Sequence, residues 1–169
     1  TPTELGKKWQ MDVKYVPAAC YVGTDGEKFY QYTMIDEASR ERFLYAYREN
    51  SSYSTVDFVQ RAIIYFGYAP EMIQTDNGGE FTHTQKTNRI HPFDALCSRL
   101  HIVHKAIRPK TPWHNGKVER SHREDQKRFY SCHAFYSLDD FAKQLSVHNR
   151  RPNNLPMRPL RWMAPAEVT

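Results

Sequence analysis

The sequence contains no long apolar run, because charged and polar residues interrupt every hydrophobic stretch, and hydrophobic residues make up 40% of the chain. A helix that crosses a bilayer needs about 20 consecutive apolar residues, so we expect no membrane-spanning segment. The opening Thr1-Pro2-Thr3 begins no signal peptide, since no basic stretch followed by an apolar one comes after it. It also lacks an initiator methionine, and we therefore expect an excised domain with further residues upstream.

Cysteine is scarce and irregularly placed: Cys20, Cys97 and Cys132 are odd in number and widely spaced. This pattern excludes a disulfide scaffold and the paired motifs of zinc fingers, and it suits buried thiols in a reducing cytosol. Cys97 and His101 stand four residues apart on a predicted helix, which leaves a structural zinc site open as a minor alternative.

Internal repeats and low-complexity segments are also missing, and 169 residues correspond to one domain by the usual length prior. A chain of this size buries roughly 70% of the surface that it exposes when unfolded, so it needs neither disulfide nor metal to fold. Lysine and arginine number 24 against 19 acids, which gives a net charge of +5. This balance favours a polyanionic partner such as nucleic acid.

Alternating apolar and polar residues predict a half-buried first strand, with Trp9, Met11 and other apolar side chains on one face. The stretch Thr24-Asp25-Gly26-Glu27 predicts a hairpin turn, and Asp36 is predicted to cap the next turn. Because short turns join the first three strands, we expect an antiparallel meander. The predicted strands cover residues 9–16, 29–35, 43–47, 72–75 and 102–107.

Apolar residues spaced three and four apart predict the first helix, Pro92 opens the second, and the third is predicted as a charged helix with few apolar positions. Ser54 or Thr55 is predicted to cap the first of them, Gly67 to end it, and Ser137 to cap the last. Two strands follow helical crossovers and should therefore lie parallel to the first strand, which predicts an α/β fold with a five-stranded mixed sheet and helices on both faces. The predicted helices cover residues 54–66, 93–100, 117–130 and 138–150, within a single domain 1–169 that has a lead-in at 1–8 and an extended proline-rich tail at 152–169.

Two acids are predicted to meet at the centre of this sheet. Asp12 lies on the first strand, and Asp76 ends the fourth, where the Asn77-Gly78-Gly79 turn follows at once. Glu119 begins the late charged helix after a loop at residues 108–116 and can swing in as a third carboxylate. Three such groups repel one another unless a divalent cation neutralises them, and their hard oxygen ligands suit Mg²⁺ or Mn²⁺. Two ions could activate a water or a 3′-hydroxyl and stabilise the leaving oxygen of a phosphodiester.

Long motifs surround all three acids: Trp9-Gln10-Met11-Asp12, Thr75-Asp76-Asn77-Gly78-Gly79-Glu80-Phe81 and His114-Asn115-Gly116-Lys117-Val118-Glu119-Arg120. The segments Asn149-Arg150-Arg151-Pro152-Asn153 and Ala164-Pro165-Ala166-Glu167 add to the pattern near the end of the chain. Through these motifs, which span nearly its whole length, the chain resembles the catalytic core of bacterial insertion-sequence transposases and retroviral integrases.

The resemblance implies a ribonuclease H-like fold in which Asp12, Asp76 and Glu119 are the catalytic and metal-binding triad for two Mg²⁺ or Mn²⁺ ions. It implies cleavage of element ends and strand transfer to target DNA. The expected partner is therefore double-stranded DNA, bound by a homodimer or a higher assembly in the bacterial cytoplasm, in association with the nucleoid. Recognition of the element ends is expected to need a helix-turn-helix region upstream.

One departure from the family pattern concerns spacing. Asp76 and Glu119 have 42 residues between them, more than most family members have, and the surplus falls in the polar stretch 82–91, which we interpret as a loop insertion. Glu80 is either a carboxylate that supports the site or an acid that stabilises the turn. Asn115 is either a turn former or a residue that helps the neighbouring loop to move.

The late helix carries cations that are candidates for DNA contacts. Residues 119, 123 and 127 share one helical face, so Arg123 and Lys127 should line the approach to the site, through phosphate contacts that give salt-dependent affinity. An ordinary solvated charge run is the alternative interpretation, and Glu119 could also pair with Arg123 one turn away. The candidate DNA-binding residues are Lys117, Arg120, Arg123 and Lys127 on this helix and Arg108 and Lys110 in the preceding loop.

Three functions remain open at this point. The first is metal-dependent DNA cleavage and strand transfer, as the resemblance implies. The second is a plain metal-dependent nuclease on the same fold, which would not join DNA strands. The third is a domesticated DNA-binding relic without catalysis, against which the presence of all three acids argues.

Overall fold

The computed structural model describes residues 4–23, 26–107, 115–153 and 165. Five strands form one sheet in the spatial order β3-β2-β1-β4-β5. The strands are β1 (Lys8–Tyr15), β2 (Tyr30–Asp36), β3 (Arg42–Tyr47), β4 (Met72–Thr75) and β5 (Val103–Ala106). The helices are α1 (Ser52–Phe66), α2 (Pro92–Arg99), α3 (Gly116–Arg128) and α4 (Leu138–Asn153). The predicted order of strands and helices is confirmed.

The pairing of the strands gives the predicted mixed sheet. β1 pairs antiparallel with β2, placing Asp12 opposite Thr33, and β2 pairs antiparallel with β3. β4 arrives after α1 and pairs parallel with β1, and β5 arrives after α2 and pairs parallel with β4. β1 is therefore the central strand, and its neighbour β4 ends one residue before Asp76.

One face of the sheet packs against α1 and α2. Trp9 and Met11 of β1 are fully buried there, in contact with the same cluster as Phe58 of α1 and Phe93 of α2. The spacing of apolar residues in α1 explains this, since Phe58, Val59, Ala62 and Phe66 all lie on its buried side. This cluster is the main core, and it holds β1 and β4 rigidly beneath the site.

The other face of the sheet is covered by α3 and α4, which corrects the prediction of a half-buried β1. Gln10 points to this face and is nevertheless buried, because its side-chain oxygen accepts a hydrogen bond from the backbone N–H of Val118 in α3 at 3.1 Å. A second apolar cluster lies farther along this face and includes Phe29, Phe141 and Leu145.

The first helix begins earlier than predicted. Ser51 is its N-cap and accepts a hydrogen bond from the backbone N–H of Ser54 at 3.2 Å, so the predicted caps Ser54 and Thr55 both lie inside the helix. Gly67 ends the helix in the left-handed conformation, at φ 83°, as predicted. The cap of Ser137 on α4 is also confirmed, since its hydroxyl accepts from the N–H of Asp140 at 3.1 Å.

Two further boundaries differ from the predictions. The backbone of α4 continues to Asn153, so the predicted extended tail does not begin at Pro152. Most of that tail, the centre of the Thr24-Asp25 turn and the loop 108–114 lie outside the described residues. Within the part of the chain that is described, no helix is long and apolar enough to cross a membrane.

Candidate active site

Asp12 and Asp76 lie on or directly after neighbouring parallel strands, near the point where β4 ends. Asp12 lies in the middle of β1, and its Oδ1 accepts a hydrogen bond from the backbone N–H of Val13 at 2.8 Å. Asp76 follows β4 directly, and its Oδ1 accepts from the N–H of Gly78 at 2.8 Å. Both carboxylates are thus oriented by the backbone beside them, which is the arrangement that the topology predicted.

The turn after Asp76 brings Glu80 close to Gly78. A Cβ atom at Gly78 would lie 2.6 Å from Oε1 of Glu80, because the carboxylate of Glu80 folds back over the turn. The backbone N–H groups of Phe81 and Thr82 both donate to the carbonyl of Gly78 at 3.0 Å, and they close the turn. Glu80 therefore lies against the turn that carries Asp76.

A series of hydrogen bonds links the backbone of Asp76 to β5 and α2. The buried hydroxyl of Thr75 donates to the carbonyl of Asp76 at 2.8 Å and contacts Nε2 of His104 on β5, also at 2.8 Å. Nδ1 of His104 lies 2.6 Å from Oδ1 of Asp94 on α2. No periodicity or spacing in the sequence predicts this series of hydrogen bonds, which crosses three elements.

The start of α3, which carries Glu119, is fixed to β1. Val118 is fully buried, and its backbone N–H donates to Gln10 of β1. Asn115, at the beginning of the helix, donates through Nδ2 to the carbonyl of Met11 at 3.4 Å. Asn115 is itself buried, and among the described residues its Oδ1 has no hydrogen-bond partner. Asn115 thus anchors the helix to the central strand at the point where the loop ends.

The three predicted acids are electrostatically coupled. Burial, together with the negative charges of Asp76, Glu119 and Glu80, raises the pKa of Asp12 to about 7 against the opposing hydrogen bond from Val13. Burial also raises the pKa of Glu80, with Asp76 as an additional cause. Four carboxylates therefore share one region, and their mutual repulsion is incompletely balanced.

The donor set fits a divalent cation, because it consists of carboxylate oxygens whose repulsion such an ion would relieve. Yet among the described residues no three His, Cys, Asp or Glu side chains are arranged to hold a metal ion. The same finding goes against the minor zinc alternative at Cys97 and His101. Closure of the three acids around an ion would thus require their side chains to rearrange.

His122 is a neighbour of Asp12 that the sequence analysis missed. Its Nε2 lies 2.8 Å from the hydroxyl oxygen of Thr33, and its Nδ1 lies 3.7 Å from Oδ2 of Asp12. Burial lowers the pKa of His122 to about 3, so at neutral pH the ring adds no positive charge to the carboxylates. Its position three residues after Glu119, on one helical face, is the signal that could have identified it.

The candidate DNA-binding residues fall into two environments. Arg120, Arg123 and Lys127 are exposed on α3, whereas Lys117 is half-buried with its Nζ 3.7 Å from Oε2 of Glu37. In the described part of the chain Arg123 forms no ion pair with Glu119, although α3 does contain a pair of this spacing between Glu124 and Arg128. Arg108 and Lys110 lie outside the described residues.

Two family models of the integrase core domain match the chain, one over residues 2–112 and the other over residues 100–154. The chain therefore belongs to the integrase core domain family. Its members share the ribonuclease H-like architecture that the five-stranded sheet displays here, which confirms the predicted fold and the predicted relationship to integrases and transposases.

Similar proteins come from several viruses. The ORF3 protein of Spiroplasma virus SpV1-C74, an assigned integrase, is 34% identical over 130 residues, which cover 71% of this chain but only 35% of that protein. A chain of the simian T-cell lymphotropic virus intasome, solved with PP2A regulatory subunit B56 gamma, matches with a TM-score of 0.76 at 19% identity over 99% of this chain and 55% of that chain. The present chain thus spans about a third of the length of the Spiroplasma virus protein and about half of the length of the intasome chain.

An isolated catalytic core from HTLV-2 integrase, solved with magnesium in a trimeric form, matches over nearly its whole length. The TM-score is 0.68 at 21% identity, over 96% of this chain and 95% of that one. The core of BIV integrase gives 0.69 at 20% identity, over 96% and 93%. At these identities the likeness extends to the fold.

Proposed function

We propose that this chain is the catalytic core of a polynucleotidyl transferase that cleaves DNA and transfers a 3′ end to target DNA. The observation that carries the proposal is that Asp12 and Asp76 lie on or directly after the adjacent parallel strands β1 and β4, with Glu119 at the start of α3, which is hydrogen-bonded to β1. Membership in the integrase core domain family supports it. So does the raised pKa of Asp12, which is due first to burial and then to the negative charges of Asp76, Glu119 and Glu80.

Mg²⁺ or Mn²⁺, as one or two ions held by these three acids, would activate a water or a 3′-hydroxyl and stabilise the departing oxygen. The chain's own residues prepare the place for this chemistry. β1 and β4 position Asp12 and Asp76, and because the start of α3 is anchored to β1, Glu119 would reach an ion by rotation of its side chain. His122 keeps Asp12 partly shielded from water without neutralising it, and Glu80 and Asn115 hold the turn and the helix start in place.

We further propose that double-stranded DNA lies along α3, where Arg120, Arg123 and Lys127 are exposed, and that Arg108, Lys110 and Lys117 contribute to this surface. Such contacts to phosphates give affinity with little sequence choice. The relatives described as an intasome and as a trimeric core with magnesium support assembly into multimers and use of a divalent ion. The proposed setting is the bacterial cytoplasm, near the nucleoid.

The proposal is tested with a fluorescent oligonucleotide that has a free 3′-hydroxyl, a supercoiled plasmid, and Mg²⁺ or Mn²⁺. The wild-type chain is expected to join the oligonucleotide covalently to the plasmid. Asp76→Asn and Glu119→Gln are expected to lose this activity by at least about 100-fold while keeping the fold, because each removes a charged ligand from the transition state. Near-wild-type activity in Asp76→Asn would exclude the proposed site.

The same assay separates the two alternative functions. Nicked plasmid without joined product would indicate a metal-dependent nuclease. Retained DNA binding without nicking or joining, at millimolar metal, would indicate a non-catalytic DNA-binding relic.

A further inference from the structure

A buried glutamate lies at the centre of a group of cations beside the start of α3. Glu37, in the turn between β2 and β3, is only 4% exposed. Its Oε1 lies 3.5 Å from Nζ of Lys8 and accepts a hydrogen bond from the side-chain amide of Gln10. Its Oε2 lies 3.7 Å from Nζ of Lys117. One carboxylate thus already faces two lysines.

Two arginines extend this positive group. Arg40 lies three residues after Glu37 in the same turn and is half-buried, and Arg120 follows Lys117 by three residues on α3. Burial lowers the pKa of Arg40, and the charge of Arg120 lowers it further, against attraction by Glu37. Burial likewise lowers the pKa of Lys117, and Arg40 and Lys8 contribute repulsion. The four cations are therefore close enough to repel one another.

The neighbouring acid Asp36 makes its contacts elsewhere. Its Oδ2 accepts from the hydroxyl of Tyr68 at 2.8 Å and from the indole N–H of Trp9 at 3.1 Å. In the part of the chain that the structure describes, the carboxylate of Glu37 is the one in direct contact with the two lysines.

We propose that Lys8, Arg40, Lys117 and Arg120 form a binding site for a backbone phosphate of duplex DNA, with Glu37 as the buried support that holds the two lysines in place. A phosphate supplies the negative charge that one glutamate does not, and guanidinium groups bind its oxygens with well-directed hydrogen bonds. Lys117 and Arg120 lie in the same first turns of α3 as Glu119, on different sides of the helix. The inference rests on the proposed function in that DNA is the substrate.

Arg40 gives this proposal its sharpest test, because neither Lys8 nor Lys117 can be removed without leaving Glu37 short of a partner. The backbone of Arg40 is left-handed, at φ 63°, and asparagine tolerates this conformation better than other polar residues do. Arg40→Asn therefore removes the charge with little backbone strain. Arg99→Gln is the matched control, since Arg99 is exposed at the end of α2 on the opposite face of the sheet.

The experiment measures binding of a random-sequence DNA duplex to the 169-residue chain at several salt concentrations, with EDTA present to prevent cleavage. Loss of one phosphate contact is expected to make the slope of log K against log salt about 0.9 shallower. Arg40→Asn should show this change together with a several-fold weaker affinity, and Arg99→Gln should match the wild type. An unchanged slope in Arg40→Asn, or equal changes in both variants, would overturn the site.

A double variant provides an independent check. Lys117→Gln with Glu37→Gln removes one cation together with the acid that it faces, so no buried glutamate is left short of a partner, and Lys8, which is partly exposed, can be solvated. It is expected to weaken duplex binding in the same direction as Arg40→Asn, and binding equal to the wild type would count against the site. Strand transfer by the wild-type chain is scored separately, so its failure would reject the proposed function while the binding result still decides the phosphate site.

Discussion

Asp12 lies in the middle of the sheet, and its carboxylate is close enough to those of Asp76, Glu119 and Glu80 to be affected by their charges. Because burial and repulsion raise its pKa from 3.8 to about 7, the folded chain binds this proton more tightly than the unfolded chain does. Between these two pKa values the native state holds more protons, so this group lowers the stability of the fold as pH rises. The buried carboxylate of Asp12 therefore lowers the free energy of unfolding as the pH rises.

Asp12→Asn is therefore expected to stabilise the metal-free chain, and by more at pH 8 than at pH 5. Each unit of pKa shift corresponds to about 1.4 kcal/mol, so a gain of at least about 1 kcal/mol is expected at pH 8. Urea unfolding in EDTA at both pH values measures it. Glu124→Gln, an exposed substitution on α3, serves as the control without such a pH trend. If Asp12→Asn were less stable than the wild type at pH 8, the predicted destabilisation by the buried Asp12 carboxylate would be wrong.

Asp125 illustrates a buried charge that is fully paired. It accepts two hydrogen bonds from Arg42, both at 2.8 Å, one from Gln31 at 3.0 Å and one from His148 at 2.7 Å. Burial opposes its ionisation, but the charge of Arg42 and these hydrogen bonds hold the pKa of Asp125 well below its usual range. The residue connects α3 to β2, β3 and α4, and it fixes the helix that carries Glu119.

Asp125→Asn is expected to destabilise the chain by about 3–5 kcal/mol, because it leaves the guanidinium of Arg42 buried without its carboxylate. The neighbouring change Glu124→Gln breaks only an exposed pair with Arg128 and should change the stability by less than about 1 kcal/mol. Thermal and urea unfolding at pH 7 compare the two. Equal effects would mean that the buried network contributes little to the fold.

At the scale of elements, hydrophobic patterning together with turn, cap and charge signals identified the five strands and the helices α1 to α4, whereas the choice among competing cap residues was not resolved. β4 has the predicted bounds because Met72 to Thr75 is a short apolar stretch between two turns. α1 begins at a serine that was not expected, because the segment offers several hydroxyl groups that can cap a helix. Ser54 and Thr55 instead donate to the backbone carbonyls of Glu49 and Ser51, contacts that only the folded chain reveals.

Ser51→Ala is expected to lower the stability by about 1 kcal/mol, since it leaves the N–H of Ser54 without its cap. Ser52→Ala is the matched control, because within the described part of the chain the hydroxyl of Ser52 forms no hydrogen bond. That control should change the stability by no more than a few tenths of a kcal/mol. The free energies of unfolding of the two variants are compared. A larger loss in Ser52→Ala than in Ser51→Ala would contradict the assigned start of the helix.

For the whole molecule, topology explains how much of the site was predictable. Two crossovers after a meander require β4 to lie beside β1, so the meeting of Asp12 and Asp76 followed from the order of elements. The pairing of Lys117 with Glu37, the position of His122 beside Asp12 and the Arg42–Asp125 contact did not follow. They depend on how α3 lies across the sheet, and the charge pattern of that helix is equally compatible with a solvated face.

Binding of Mg²⁺ should couple the site to the stability of the whole chain. Binding to the native state at 100 times the dissociation constant adds about 2.7 kcal/mol, and for a domain of this size that raises the Tm by about 5–10 °C. Asp76→Asn is expected to lose most of this shift. Glu119→Gln should retain it in the absence of DNA, because among the described residues no three-acid site is formed.

Thermal unfolding at pH 8, with and without Mg²⁺, measures these shifts, and Glu124→Gln controls for general ionic effects. Equal shifts in the wild type and Asp76→Asn would place the ion elsewhere. A shift lost in Glu119→Gln as fully as in Asp76→Asn would mean that α3 already supplies its ligand before DNA binds. In that case the motion of Glu119 would not be part of substrate binding.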